Sequence, residues 1–404
     1  MTQQVELLIA GGGLIGLLLG TACAGAKLGV AIVDRQGPGT MLDEGFDGRS
    51  SAIAYGSRRV LDALGLWPEI DGHAEPILEI RVADDGSPLF LHYDHRDLGA
   101  ATPLGYIVEN RVLRRVLFER VRTLESLSFL APLDVEAVAT SPLAAVATLS
   151  DGRTIAARLI AAADGQESRL RRASGIRTVE WRYRQTAIVT TVQHERPHCG
   201  IAVEHFLPAG PFAILPMTGS RSSIVWTERA ELAAGLVALP DAAFADEIAA
   251  RFGDFLGAVE PIGPRWTYPV GLMLADRYVA ERLALVGEAA HVIHPIAGQG
   301  LNLGIRDVAT LAELVIDRRR LGLDIGDPHL LGHYQQWRRL DTLALAAVTD
   351  GLNRLFSNQL APLRLARDLG LAAVHRLPPL KRLLMRDAMG LAGDLPRLAR
   401  GEPL

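Results

Sequence analysis

Cysteine is scarce in this sequence, and an excess of positive charge is missing. The 404 residues include two cysteines, Cys23 and Cys199, which have neither metal-site spacing nor the density of a disulfide framework. This scarcity is typical of a protein from a reducing compartment. The formal net charge is −4. Because nucleic acids are bound by basic surfaces, this charge excludes a nucleic acid as the main partner.

Long apolar runs are also rare, and one stretch, residues 7–26, is uncharged over a length that could cross a bilayer. No Lys or Arg precedes it, it holds glycines at 11–13 and 16, and Lys27 leads directly into another apolar segment. These features disfavour both a membrane span and an export signal. We therefore predict a soluble protein or one bound at a membrane surface.

The order of apolar segments predicts the fold. Residues 5–10 read as a buried strand, followed by a glycine turn, a helix over about 14–27 and a strand over 28–33, which together form a βαβ unit. Further apolar strands are predicted at 158–163 and 283–286. Residues 77–93 and 184–228 alternate apolar and polar, which is typical of a sheet with one exposed face.

The first glycine motif lies inside the βαβ unit, as Gly11-x-Gly13-x-x-Gly16. The first glycine permits a tight turn, the second lets the backbone approach a pyrophosphate, and the third lets the helix pack close to the strand. The helix N-terminus then offers free N–H groups to the phosphates. Asp34 ends the next strand, where a carboxylate can accept hydrogen bonds from a ribose. This pattern predicts a dinucleotide site without separating FAD from NAD.

Two later segments follow apolar strands. Asp164-Gly165 is by itself a weak signal, because Asp-Gly is a common turn. Residues 287–307 are more specific, since they run from a strand end through a turn at Pro295 into a helix that starts near Gly300. Backbone N–H groups there could stabilise negative charge on a flavin, while Glu288 accepts from ribityl hydroxyls and Gln299 and Asn302 add polar contacts.

The order of these three motifs resembles the para-hydroxybenzoate hydroxylase superfamily of flavin monooxygenases. Within that superfamily, the segment His294–Asp307 (HPIAGQGLNLGIRD) resembles the signature of the ubiquinone-biosynthesis hydroxylases. The resemblance extends over nearly the whole chain, through Glu109-Asn110-Arg111, Pro208–Pro216, Trp226–Glu228, Tyr334, Arg338, Asp341, Thr349 and Asp350.

The resemblance implies an α/β fold, α+β overall. A Rossmann-like FAD-binding domain (1–75, 102–180 and 270–330) is interrupted by a mixed β-sheet substrate domain (76–101 and 181–269), and a helical region (331–404) follows. The residues implied in FAD binding are Gly11, Gly13, Gly16, Asp34, Arg49, Arg111, Asp164, Glu288, Pro295, Gly298, Gln299, Gly300, Leu301 and Asn302. At position 288 the family usually has Asp, so we expect the longer Glu288 to shift the ribityl contact and loosen FAD.

The implied activity is that of an FAD-dependent monooxygenase. It would use NADH or NADPH and O2 to hydroxylate the ring of a polyprenylated phenol through a flavin C4a-hydroperoxide. No second GxGxxG follows a strand, so the nicotinamide would bind transiently. The alternatives are a flavin monooxygenase or reductase acting on another aromatic or isoprenoid substrate, and a non-catalytic flavoprotein subunit of a quinone-synthesis complex. The catalytic base stays open among His205, Tyr183, Tyr268 and His294, and no metal is expected.

The C-terminal segment gives an indication of where in the cell the protein lies. Residues 360–404 carry eight basic and four acidic residues, interleaved with Leu, Ala and Met. Basic helices of this kind can lie on anionic lipid, which fits a cytoplasmic protein held peripherally at the inner face of the membrane. The alternative, which we favour slightly, is that these helices pack on the FAD domain or on partners. Such partners would be other quinone-biosynthesis proteins or a second copy. The sequence leaves open the ring position, the prenyl length and the oligomeric state.

Overall fold

The computed structural model describes residues 2–43, 47–84, 90–99, 102–356, 374 and 376–404. The strands in chain order are β1 Thr2–Ala10, β2 Val30–Val33, β3 Ser50–Ala54, β4 Ala74–Ile77, β5 Glu79–Asp84, β6 Phe90–Asp94, β7 Gly105–Glu109, β8 Leu127–Leu130, β9 Val135–Thr140, β10 Ala145–Leu149, β11 Thr154–Ala162, β12 Thr178–His194, β13 Ile201–Leu207, β14 Gly210–Met217, β15 Arg221–Arg229, β16 Val259–Ala275, β17 Val279–Ala280, β18 Leu283–Leu285 and β19 His291–Val292.

The described α-helices follow the same order. They are α1 Leu14–Gly25, α2 Pro38–Met41, α3 Tyr55–Ala63, α4 Trp67–Asp71, α5 Asn110–Arg122, α6 Arg169–Ala173, α7 Ala230–Val237, α8 Asp241–Phe252, α9 Gln299–Arg320, α10 Pro328–Phe356, α11 Pro378–Ala388 and α12 Arg397–Arg400. Among the residues described, no helix is both long enough and apolar enough to cross a membrane. The apolar stretch 7–26 is instead the end of β1 and the whole of α1.

The first sheet has the order β17-β18-β11-β1-β2-β8, with β9 and β10 added along β11. β1 is parallel to both β11 and β2, with Leu7 opposite Leu159 and Val30. A strand between two parallel neighbours is covered on both faces, which explains why residues 7–10 are apolar without alternation. The helix α1 packs on β1 and β2, and α9 packs on α1 and contributes to the same core. The predicted βαβ unit and α/β architecture are confirmed.

The second sheet has the order β19-β16-β12-β15-β14-β13-β5-β6. One of its faces packs against α7 and α8 through a core that includes Ile188, Ile224, Trp226 and Phe244. The opposite face lines a large cavity. The predicted alternation of apolar and polar residues along these strands is therefore present. The second face of the sheet, however, borders a cavity and not bulk solvent.

Two long strands cross the predicted domain limits. β12 starts at Thr178, before the predicted limit of 181, and β16 continues to Ala275, past the predicted limit of 269. β4 joins β3 and β7 in a small third sheet. Because β12 and β16 run on through these positions, the strands do not mark a boundary there, and the domain limits stay a prediction.

The described part of the C-terminal region is mainly helical, with non-helical segments at residues 391–396 and 401–404. α10 packs along α9, and α12 packs on α3 and α9. Met385 and Met389, at the end of α11, are buried against Ile77, Leu104 and the second sheet. Arg364, Arg367 and Asp368, part of the predicted basic segment, lie outside the described residues.

Candidate active site

One cavity of about 1560 Å³ runs from the carboxyl ends of β1, β2 and β11 to the inner face of the second sheet. Ligand pockets for drug-sized molecules are typically about 300–1,000 Å³, so this cavity has room for a dinucleotide together with a second molecule. Predicted site residues that line it are Gly11, Gly13, Asp34, Arg49, Asp164, Glu288, Pro295, Gly298, Gln299, Gly300, Leu301 and Asn302.

The three motif glycines have separate structural roles. Gly11 has φ +105°, and a Cβ there would lie 2.2 Å from the carbonyl oxygen of Ala163. A Cβ on Gly16 would lie 1.8 Å from the carbonyl oxygen of Gly11, so α1 can approach β1 only without a side chain. No atom lies within 4 Å of a Cβ on Gly13, which lines the cavity at the start of α1. This open position fits a site where a pyrophosphate meets the backbone.

Asp34 is held by backbone donors. Its Oδ2 accepts from the N–H of Gly12 at 2.5 Å, and its Oδ1 accepts from the N–H of Gln36 at 2.7 Å. Burial raises the pKa of Asp34 against these two hydrogen bonds. A carboxylate has about four acceptor positions, so two remain for ribose hydroxyls.

Asp164 offers a clearer indication of a ligand than its sequence context did. Its Oδ2 accepts from the N–H groups of Arg169 and Leu170, at 2.9 and 3.4 Å. Its Oδ1 is buried and has no hydrogen-bond partner among the described residues. Because buried acceptors are nearly always satisfied, this oxygen fits a donor supplied by a bound cofactor.

The start of α9 forms the opposite wall. Gly298 has φ +60° and precedes the helix, while Gly300 is exposed with no atom within 4 Å of a Cβ. The first four N–H groups of a helix have no intrahelical acceptor, so residues 299–302 present donors to the cavity. This arrangement fits the electron-rich edge of a flavin.

Two side chains of this segment are engaged differently from the prediction. The side-chain amide of Asn302 accepts from the N–H of Ala54 and donates to the carbonyls of Ala52 and Gly298. Gln299 donates from Nε2 to the carbonyl oxygen of Ala388 in α11. The side chain of Asn302 thus links α9 to β3 and is not available to a ligand. At this residue only the backbone N–H can make the expected polar contact.

Glu288 is exposed at the cavity wall, and no hydrogen bond or ion pair to it is found among the described residues. It lies near enough to Arg49 to contribute to the raised pKa of that guanidinium. Its contact with the ribityl chain remains a prediction.

Two arginines, Arg49 and Arg114, meet at Asp47, and only Arg49 was predicted from the sequence. The Arg49 guanidinium pairs with both oxygens of Asp47, at 2.9 and 3.1 Å, and lies 4.8 Å from the ring centroid of Tyr268. Asn110 and Arg114 also donate to Asp47. Burial of Asp47 is outweighed by the hydrogen bonds from Arg49 and Asn110, and its pKa falls to about 2.

The predicted Arg111 does not line the cavity. Its Nε pairs with Glu109 at 2.7 Å, and the side chain is 47% exposed. Residues 110 and 114 are four apart and share one face of α5, whereas residue 111 is turned about 100° away from residue 110. The family motif thus points to a helix that borders the cavity, and on this helix Arg114 lines the cavity. The part of either arginine in FAD binding stays a prediction.

The four residues predicted as candidate bases differ in their hydrogen bonds and in whether they line the cavity. Tyr268 lines the cavity beside Arg49, whereas Tyr183 donates to Asp350 at 2.8 Å. His294 is buried, which lowers its pKa to about 4, and its Nε2 has no partner among the described residues. His205 lies on the face of β13 that does not line the cavity.

Glu204, a carboxylate on the sheet side of the cavity wall, was not predicted from the sequence. It precedes His205, and the sequence alone does not say which of the two faces inward. The structure places Glu204 on the inner face, together with Ala202 and Phe206. The period-2 spacing of these three residues was the available signal.

Comparison with known proteins agrees with this geometry. A family model described as an FAD binding domain matches residues 4–345. Ubiquinone hydroxylase UbiL of Rhodospirillum rubrum is 54% identical over 405 residues, covering 100% of this chain and 94% of that protein. The human mitochondrial ubiquinone biosynthesis monooxygenase COQ6 is 32% identical, covering 95% of this chain and 92% of that protein.

Solved structures show the same fold. The p-nitrophenol 4-monooxygenase PnpA of Pseudomonas putida superposes with a TM-score of 0.80 at 19% identity, covering 97% of this chain and 99% of that one. The orphaned oxygen of Asp164, the open backbone at Gly13 and Gly300 and the donors at the start of α9 fit FAD. The chain belongs to the family of FAD-dependent hydroxylases of ubiquinone biosynthesis.

Proposed function

We propose that this protein uses NAD(P)H and O2 to hydroxylate the aromatic ring of a polyprenylated phenol in ubiquinone biosynthesis. The observation that carries the proposal is an apolar lobe of the cavity beyond the FAD-binding loops. Its walls include Leu91, Phe206, Ile296 and Phe356, with the last residues of α10 beside them. The rings of Phe206 and Phe356 stack with centroids 4.0 Å apart.

This lobe matches the chemistry of a prenyl chain. Such a chain has no hydrogen-bonding group, so its binding rests on the apolar area that it buries. A small polar phenol would leave most of the lobe unfilled. The lobe therefore supports a substrate that carries an isoprenoid tail over one that is a bare ring.

The protein's own part in the reaction is positioning and exclusion of water. When bound, reduced FAD supplies the activation of O2. In this proposal the inner face of the second sheet holds the substrate ring and the start of α9 holds the edge of the cofactor. Residues of α10 and α11 line the cavity on the side opposite the sheet's inner face and exclude water once the ligands fill it. A dry cavity with a fixed ring favours oxygen transfer to carbon over release of peroxide.

The helix α11 supports contact with a membrane surface. Leu384 and Met385 of this helix line the cavity, while Leu383 and Leu377, the residue before the helix, are 60% and 51% exposed. Arg382 and Arg386 are exposed beside them, whereas Lys381 pairs with Asp97 at 2.6 Å. An amphipathic basic helix with outward leucines fits anionic lipid, and its position would admit a lipid-dissolved substrate. We accordingly infer a cytoplasmic protein held at the inner face of the membrane.

The membrane contact predicts a specific loss on mutation. In the double variant Leu380→Ser, Leu383→Ser, we expect at least about a fivefold loss of binding to anionic liposomes, because about 0.8 kcal/mol is lost per CH₂ withdrawn from lipid. Leu321→Ser is the matched control, since Leu321 is 73% exposed at the far end of α9. Equal binding of both variants in a flotation assay would contradict the membrane contact.

The activity is tested on the purified flavoprotein. After its released cofactor is identified as FAD, NAD(P)H oxidation is followed with a short-chain prenylated phenol, and the product is analysed by mass spectrometry. We expect the phenol to stimulate oxidation and to gain one oxygen atom. Oxidation that no phenol stimulates would instead favour a non-catalytic flavoprotein subunit. Association with other quinone-biosynthesis proteins or with a second copy stays a prediction.

A further inference from the structure

Glu204 interrupts a row of apolar side chains that crosses the second sheet. In this register it lies opposite Val82 of β5 and Ala213 of β14. The row continues to Leu91 on one side, and to Val225 and Val189 on the other. All these side chains line the cavity. On a face of this kind the residue expected from alternation is apolar.

The carboxylate of Glu204 has no protein partner. Among the described residues no hydrogen bond or ion pair is formed with it, and no neighbouring charge affects its pKa. Burial alone raises the pKa of Glu204 from 4.5 to about 7. An unpaired carboxylate among apolar side chains costs stability, so folding does not explain its presence. Because the side chain lines the cavity, a partner can reach it from the cavity.

We propose that Glu204 accepts the proton of a ring hydroxyl of the substrate, an inference that rests on the proposed function. The O–H bond of the phenol breaks, the proton passes to a carboxylate oxygen of Glu204, and the electron pair stays on the ring oxygen. The negative charge spreads to the ring carbons ortho and para to that oxygen. Those carbons become better nucleophiles for the oxygen atom that they receive.

The other candidate groups are less suited to this proton transfer. Tyr268 lies beside Arg49, Tyr183 donates to Asp350, and His205 lies on the opposite face of β13. Other titratable groups that face Glu204 across the cavity or along its face of the sheet are Tyr93, Asp84, Arg306, Asp341 and Asp387. Arg306 and Asp341 are paired with each other at 3.0 Å, and burial raises the pKa of Tyr93 to about 12. Glu204 combines a place on the inner face of the sheet with a carboxylate that no described residue binds.

A binding experiment tests the proposal without turnover. The oxidised holoenzyme is titrated with a short-chain prenylated phenol and with its methyl ether, at about pH 6 and about pH 8, and flavin absorbance reports binding. We expect phenol affinity to rise up to about tenfold over this interval, following the ionised fraction of a group with a pKa near 7. The ether, which has no proton to give, should bind equally at both pH values.

The variant Glu204→Gln keeps the shape of the side chain but cannot accept the proton. We expect it to bind the phenol without this pH dependence and to form hydroxylated product about 100-fold or more slowly, because general-base catalysis contributes about 10²–10⁴-fold. Glu204→Asp should recover part of the rate. Glu260→Gln is the matched control, an equivalent change at an exposed position of the same sheet.

The outcomes separate the two proposals. If wild-type enzyme hydroxylates prenylated phenols and Glu204→Gln matches it in rate and pH profile, the inference about Glu204 is overturned alone. If wild-type enzyme hydroxylates none of them, the proposed function and the inference both fall. A loss of rate and pH dependence confined to the Glu204 variants, with FAD content unchanged, supports the proposal.

Discussion

The two ends of the cavity differ in how far the protein itself satisfies the hydrogen-bonding groups of polar side chains. At the cofactor end, Asp34 and Asp164 are each held in place by two backbone N–H groups, and only the remaining acceptor positions are left for the ligand. At the substrate end, one carboxylate, Glu204, is set without a partner among apolar side chains. The first arrangement is built to hold a constant cofactor, and the second reserves one strong interaction for the molecule that reacts.

The cofactor end should be the more sensitive to steric change. For Gly16→Ala we expect a loss of about 3 kcal/mol or more in the free energy of unfolding, because the added Cβ would overlap the carbonyl oxygen of Gly11. Thermal unfolding and retained FAD measure this. Gly25→Ala in the same helix is the control, since no atom lies within 4 Å of its Cβ. Equal melting temperatures of the two variants would contradict the tight α1–β1 approach.

The substrate end should gain stability when its carboxylate is removed. The folded-state pKa of Glu204, about 7, lies above the unfolded value near 4.5. As the pH rises, the unfolded state therefore loses this proton first, and stability falls until about pH 7 is passed. We expect Glu204→Gln to be more stable than wild type by about 1–3 kcal/mol at about pH 8, and by little at about pH 4. Denaturant unfolding at both pH values measures this, and a destabilised variant at pH 8 would contradict it.

Asp164 tests whether its unpaired oxygen serves the cofactor. In Asp164→Asn the remaining oxygen is needed by the N–H groups of Arg169 and Leu170, so an NH₂ group would replace the acceptor in the cavity. We expect FAD affinity to fall about tenfold, because an unmet buried hydrogen bond costs about 1–3 kcal/mol. Titration of the apoprotein with FAD measures it, with Asp151→Asn in an exposed turn as the control. Unchanged affinity would place the partner of Asp164 elsewhere.

The smallest effect is expected at Glu288. Shortening this side chain in Glu288→Asp restores the residue usual in the family, and we expect FAD to bind a few-fold more tightly, about 0.5–1 kcal/mol. Retention of FAD through gel filtration measures it. A variant that retains FAD no better than wild type would contradict the proposed loosening by the longer side chain.

The same contrast explains what could be predicted from the sequence. Gly11, Gly13, Gly16 and Asp34 form one βαβ unit, so their spacing determines their geometry. Arg114 lines the cavity and was not predicted, because the family motif locates the helix without its rotation. Glu204 was not predicted because its orientation depends on the pairing of β13 with β5, which lies far earlier in the chain. Local chemistry was thus predictable, and strand register was not.

The paired strands β12 and β16 have a consequence for the shape of the cavity wall. Each has 17 residues, and together they form an antiparallel ribbon of the second sheet. Its register shifts between Arg182 and Gln185 and again between Val189 and Thr191, and Arg184 has φ +55°. Because bulges bend and twist a strand, the ribbon curves at these two points, and Ala187, which lines the cavity, lies between them. The curvature of this wall is thus determined by the backbone of the ribbon.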